Sequence, residues 1–121
     1  RIQVFAPDGR ALRTHGRAGR GPGAFSYPYD VRVDAAGWQY VCEFGNSRVQ
    51  ILDARDQVVE ILGGPGGSPG RMNNPWSLCL DSHGNLYVAD SLNHRLQKFT
   101  RRAGLAGLAV PTPPANRAGP G

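Results

Sequence analysis

Short runs of alternating apolar and polar residues fill the first hundred positions of this 121-residue chain. Turn-forming Gly, Pro, Asn and Asp interrupt them about every 8–12 residues, the spacing of an all-β chain of short strands. The pattern predicts strands over Arg1–Ala6 and Arg10–Thr14, joined by a hairpin turn at Asp8-Gly9. Four more are predicted over Tyr29–Asp34, Trp38–Glu43, Arg48–Asp53 and Gln57–Leu62, and three over Trp76–Asp81, Asn85–Asp90 and Arg95–Thr100. No stripe at helical spacing occurs, which sets aside the helical repeat folds.

The runs repeat. Glu43-Phe44-Gly45-Asn46-Ser47-Arg48-Val49-Gln50-Ile51 lies 47 residues before Asp90-Ser91-Leu92-Asn93-His94-Arg95-Leu96-Gln97-Lys98. Arg1-Ile2-Gln3-Val4 lies 47 residues earlier again. The same offset pairs Pro28 with Pro75, Asp34 with Asp81, Gly37 with Gly84 and Tyr40-Val41 with Tyr87-Val88. A fixed period in the forties marks a repeat architecture. Four short antiparallel strands per unit, with a Gly/Pro-rich crossing to the next, describe a β-propeller blade.

The residues Pro75-x-x-Leu78-x-Leu80-Asp81-x-x-Gly84-Asn85-Leu86-Tyr87-Val88-Ala89-Asp90-x-x-Asn93-His94-Arg95-Leu96-Gln97-x-Phe99 resemble an NHL repeat. The first unit departs from it at Trp38-Gln39, Cys42-Glu43 and Ser47. The resemblance covers residues 1–99, about two and a half repeats, and implies a partial β-propeller of a kind usually closed by six blades. Residues 1–14 then supply the last two strands of an incomplete blade. Residues 15–62 form a first full blade with its leading loop, and 63–100 a second with three clear strands. Residues 101–121 are Ala/Gly/Pro-rich and read as a disordered tail, although Leu105–Val110 could supply a fourth strand. Closing a ring takes about four to eight blades. The expectation is therefore a fragment of a longer chain, a truncated product, or a ring completed by missing blades or self-association.

Charge changes this picture little. Residues 1–99 carry 11 basic and 9 acidic side chains, whereas 100–121 carry three Arg and no acid. The basic balance thus sits mainly in the tail. Cys42 and Cys79 occupy non-equivalent repeat positions, match no metal motif, and read as small strand residues. No 18-residue apolar run is present, so no membrane span is expected.

Blade topology places the turns 44–47 and 91–94 at the same end as the long crossings 15–27 and 63–74. Long loops on a rigid scaffold are where binding concentrates, so that rim is the expected functional face. Residues recurring in both units read as scaffold. These are Asp34 and Asp81 at turns, and Glu43, Asn46, Arg48, Asp90, Asn93 and Arg95 as turn-capping and exposed ion-pair groups. Rim positions that differ between units are the candidate ligand contacts: Arg17, Arg20, Tyr27, Tyr29, Asp30, Phe44, Arg71, Trp76 and His94. Ordinary blade packing competes for Tyr29 and Trp76, and the resemblance makes a structural role natural for His94.

Catalytic signatures are missing. The Gly-rich run 63–70 lacks the Gly-Lys-Ser/Thr ending of a phosphate loop. The three histidines lie at unrelated repeat positions, so no catalytic set, metal site or cofactor is expected from this stretch. The favoured reading is a binding or scaffold module for a protein or small-molecule ligand. One alternative is part of a six-bladed propeller enzyme of the lyase or lactonase kind, which the resemblance admits, with Asp30 as a local metal contributor. Single-stranded RNA is a weaker alternative; Arg17, Arg20, Arg71, Tyr27 and Trp76 suggest it, and the near-neutral repeat region argues against it.

Overall fold

The computed structural model describes residues 1–101 and, as one further strand, residues 108–111. It is all-β, with the strands of a partial β-propeller. β1 (Ile2–Phe5) and β2 (Ala11–His15) form an antiparallel hairpin. Two tiny strands follow in the crossing, β3 (Arg17–Ala18) and β4 (Ala24–Phe25), paired in parallel. The first blade is β5 (Pro28–Val33), β6 (Gln39–Glu43), β7 (Arg48–Leu52) and β8 (Val58–Gly63), in that spatial order. The second is β9 (Ser77–Leu80), β10 (Leu86–Asp90), β11 (Arg95–Arg101) and β12 (Leu108–Pro111), also in sequence order. β12 pairs with β11, Phe99 opposite Pro111, inside the segment whose composition reads as a disordered tail. Pairing there satisfies backbone groups that would otherwise leave β11 an open edge.

The repeat extends to backbone conformation. Residues 47 apart share the left-handed region: Gly16 and Gly63, Gly19 and Gly66, Tyr27 and Asn74, Ser47 and His94. Strand register repeats as well, with Glu43 opposite Arg48 and Asp90 opposite Arg95. The parallel pairing of Ala18 with Phe25 recurs as an isolated bridge between Pro65 and Met72.

Two apolar layers flank the first blade. On one side Phe25, Val41 and Leu52 pack with Ile2 and Val58. On the other, Tyr40, Cys42, Val49 and Ile51 meet Met72, Leu78, Leu86, Val88 and Phe99 of the second blade. Strict alternation along β6 and β7 sends neighbouring residues into opposite layers. Every residue of both strands is buried for that reason. The equivalent face of the second blade is not covered by any described residue. Val49 is fully buried, and Leu96 at the same repeat position is 74% exposed.

The recurring carboxylates are not at the surface, contrary to the expectation of exposed pairs: Glu43 and Asp90 are fully buried. Glu43 accepts from Arg48 Nε at 2.7 Å, Gln50 Nε2 at 2.9 Å, Asn46 Nδ2 at 2.7 Å and the Ser26 backbone at 3.2 Å. Asp90 accepts the equivalent set from Arg95, Gln97, Asn93 and the Asn73 backbone. The remaining guanidinium donors go to crossing carbonyls: Arg48 to Arg20, Gly21 and Ala24, and Arg95 to Gly67, Ser68 and Arg71. The repeated Asp/Glu-x-x-Asn-x-Arg-x-Gln is thus a clamp that fixes each crossing against its blade. Asp34 and Asp81 each accept two backbone N–H bonds in the opposite turns and one from a tyrosine hydroxyl, Tyr40 or Tyr87.

Candidate functional site

Three separate segments are drawn together at the clamped end. Phe44 N donates to Tyr27 O, and Gly45 N to Ser26 O, both at 3.0 Å. Asn74 Nδ2 donates to Phe44 O at 3.0 Å, and Asn74 N to Ser47 Oγ at 3.1 Å. Trp76 N donates to Ala89 O at 3.1 Å. These bonds hold the end of the first crossing, the turn after β6 and the lead into β9 side by side.

Four aromatic rings meet there. Tyr29 stacks on Phe44 with centroids 4.8 Å apart, and Trp76 sets its edge to both, at 5.5 and 6.1 Å. Tyr27 approaches Tyr29 and Phe44 edge-on at 6.3 and 6.5 Å. The cluster is open to solvent: Tyr27 is 66% exposed, Trp76 57% and Tyr29 48%. Tyr27 also sits at φ 49°, where a bulky side chain is uncommon. Its repeat partner Asn74 holds the same conformation at φ 52° with a residue that tolerates it.

The other candidates fall in different places. Arg20 joins Tyr27, Asn46 and Ala18 around a cavity of about 450 Å³, and lines a second of about 340 Å³ with Arg48 and Gly63. Arg17 is exposed on β3, outside the aromatic cluster. Arg71 runs along the backbone of its own crossing, with Nη1 3.4 Å from Gly63 O. Asp30 turns toward the neighbouring blade, accepting from Leu78 N at 3.0 Å and Arg32 Nη2 at 3.3 Å, while Arg32 Nε donates to Leu78 O at 3.0 Å. His94 is exposed in a left-handed position closing the short 3-10 turn Ser91–Asn93. Of the nine residues, then, Tyr27, Tyr29, Phe44 and Trp76 form one patch, Arg20 borders it, and Asp30 is engaged between blades.

Some contributors were not visible from the sequence. Asn74 ties two of the segments together, and its only signal was replacing Tyr27 at the repeat offset. At the opposite end, Asp56 receives two bonds from Arg13, at 2.7 and 3.0 Å, and one from Gln39 at 2.7 Å, linking the hairpin to the first blade. The Arg13 bonds hold the Asp56 carboxyl down at about 2, with burial opposing and Gln39 and His15 assisting. Among the described residues no group of three His, Cys, Asp or Glu could hold a metal ion. Cys42 and Cys79 are both free thiols, one buried and one exposed. Burial, with Asp30 and Glu43 nearby, pushes the Cys42 thiol up to about 12. Among the described residues no helix is long and apolar enough to cross a membrane.

Repeating four-stranded sheets joined by clamped crossings define the class: a β-propeller repeat module. The NHL repeat family model matches residues 72–99. The human protein called NHL repeat-containing protein 3 is 38% identical over 53 residues, which is 44% of this chain and 15% of that protein. Over that stretch the chain is similar to NHL-repeat proteins. It spans a small share of the length of the relative it matches.

Proposed function

We propose that this module binds a ligand on its clamped rim, through Tyr27, Tyr29, Phe44 and Trp76. The observation that carries this reading is the solvent-open cluster of four rings drawn from three segments. Isolated exposed apolar side chains are ordinary, but a contiguous patch marks an interaction site. Aromatic side chains bury much area while losing little entropy, which suits them to binding anchors. Tyr27 adds support, because a strained backbone persists where its side chain is needed. Arg20 lies beside the rings as a positive contact, and the carboxylate clamps keep the crossing rigid beneath them. Arg17, Arg71, Asp30 and His94 are secondary in this reading.

The test is a titration of the full chain with a panel of short peptides and single-stranded oligoribonucleotides, read by Trp76 emission. Each trace is compared with that of the Trp76→Phe chain to remove Trp38. A ligand that shifts emission, and is weakened at least tenfold by Tyr29→Ala, supports the reading. Silence across the panel, or binding indifferent to Tyr29→Ala, overturns it. Oligonucleotides as the active members, with affinity falling steeply in salt, would favour the RNA alternative.

A further inference from the structure

Resting on the rim reading above, the geometry points to a class of ligand: we propose that the aromatic patch takes a proline-rich peptide from a partner protein. Its pattern is Pro-x-x-Pro in polyproline II form, with an acidic residue beside the proline at the Tyr27 end.

The shape of the patch comes first. Tyr27 and Trp76 each touch both members of the stacked Tyr29–Phe44 pair and do not touch each other. The rings therefore form a short row, with the stacked pair in the middle. Their spacings put the two end centroids at most about 11 Å apart, close to the ~9 Å that one three-residue turn of polyproline II advances. Prolines at i and i+3 share one edge of that helix, so each end of the row receives one. Nucleic acid fits less well. Neighbouring centroids stand 4.8 to 6.5 Å apart, the spacing of rings already packed on one another, so no base can insert between them.

Polar groups agree. The Tyr27 and Tyr29 hydroxyls and the Trp76 indole N–H have no hydrogen-bond partner among the described residues, and all three side chains are largely exposed. Polyproline II has carbonyls with no internal partners, and these groups can donate to them. Peptide and patch are both preformed, which lowers the entropic cost of docking.

Charge sets the flank. Arg20 is exposed and shares a cavity of about 450 Å³ with Tyr27. Its carbonyl is held by Arg48, but its guanidinium has no partner among the described residues. Glu43 beneath is already taken by four donors. Beyond Tyr29, by contrast, Arg1 shares its cavity with Asp30, so both signs of charge face that side. One unpaired arginine suits a carboxylate; it is too little concentrated charge for a phosphate backbone.

The experiment titrates the full chain with acetylated, amidated peptides built on Pro-Leu-Ala-Pro. The core is flanked by two Asp, before or after it, or by two Lys, and a control has both prolines replaced by Ala. Trp76 emission is read against the Trp76→Phe chain. An Asp-flanked proline peptide should shift emission, and the Ala core should weaken it at least about tenfold. A Lys flank should cost about fivefold, the scale of one exposed charge pair, and Arg20→Glu should reverse that preference. Proline and Ala cores that bind alike would overturn the proposal. So would a flank preference unmoved by Arg20→Glu, or an oligoribonucleotide that binds more tightly. If the proline peptides are silent while another peptide shifts Trp76 and is weakened by Tyr29→Ala, only this inference fails. If nothing moves Trp76, the rim reading fails with it.

Discussion

Replacing Glu43 by Gln tests the central physical claim, that each crossing is held by a buried charge clamp. The side chains are nearly the same shape, so packing is preserved. What changes is that one of two acceptor oxygens becomes an NH2 group facing two donors. Those donors are either Arg48 and Gln50, at 2.7 and 2.9 Å, or Asn46 and the Ser26 backbone, at 2.7 and 3.2 Å. Arg48, whose side chain is only 11% exposed, is left without its counter-charge. Removing one partner of a buried pair costs about 3–5 kcal/mol. An exposed pair, the expectation from sequence, would cost about 0–1 kcal/mol. The two predictions differ by a large part of a small domain's typical stability of about 5–15 kcal/mol. Urea unfolding followed by circular dichroism, extrapolated linearly to water, measures the difference. Asp90→Asn is the internal comparison: Arg95 is 29% exposed, so water can partly solvate it and the loss should be smaller. A Glu43→Gln cost below about 1 kcal/mol would refute the clamp as a source of stability.

Three further outcomes are expected. Native protein should react with Ellman's reagent at one thiol, Cys79, and at two in denaturant, because Cys42 is buried with its thiol raised to about 12; two fast thiols in native protein would contradict the packing. Gly16→Ala should destabilise by at least about 2 kcal/mol in the same urea assay, since the position has φ +88° and the new methyl would lie 2.3 Å from the buried Phe25 ring; no measurable loss would mean the crossing is not fixed there. Asp56 has a folded-state value depressed from the usual ~3.9 to about 2. Its contribution is therefore present above about pH 4 and lost as pH falls through about 2. Arg13→Met should flatten the acid stability slope between those limits without abolishing it, because Asp81, whose hydrogen bonds from Asn85, His83 and Tyr87 outweigh its burial, also titrates near 2. An unchanged slope would show that the Arg13–Asp56 link does not operate in solution.

Much of the fold was legible because a β-propeller writes its period into the chain. The 47-residue offset, the two-residue alternation and the Gly-marked turns are local, and each constrains a backbone conformation directly. Strand positions such as Gln39–Glu43 and Arg48–Leu52 follow from alternation alone. Burial does not, since it depends on what lies across the blade face. Val49 and Leu96 occupy one repeat position and differ completely in exposure. The clamp shows the same limit. Asp/Glu-x-x-Asn-x-Arg-x-Gln is legible as a recurring polar set, but its depth is set by the crossing folded over it. The rim divided similarly. Variation between the two units singles out nine rim positions, but variation does not fix which of them touch. Tyr27, Tyr29, Phe44 and Trp76 span 50 positions of sequence and meet only because Asn74 and the 44–47 turn bring their segments together. The sequence by itself determined the period and the strands, because those follow from interactions between near neighbours and from a repeating pattern. Only the tertiary structure decided which charges are buried and which aromatics share a surface, because both are set by contacts between residues far apart in the chain.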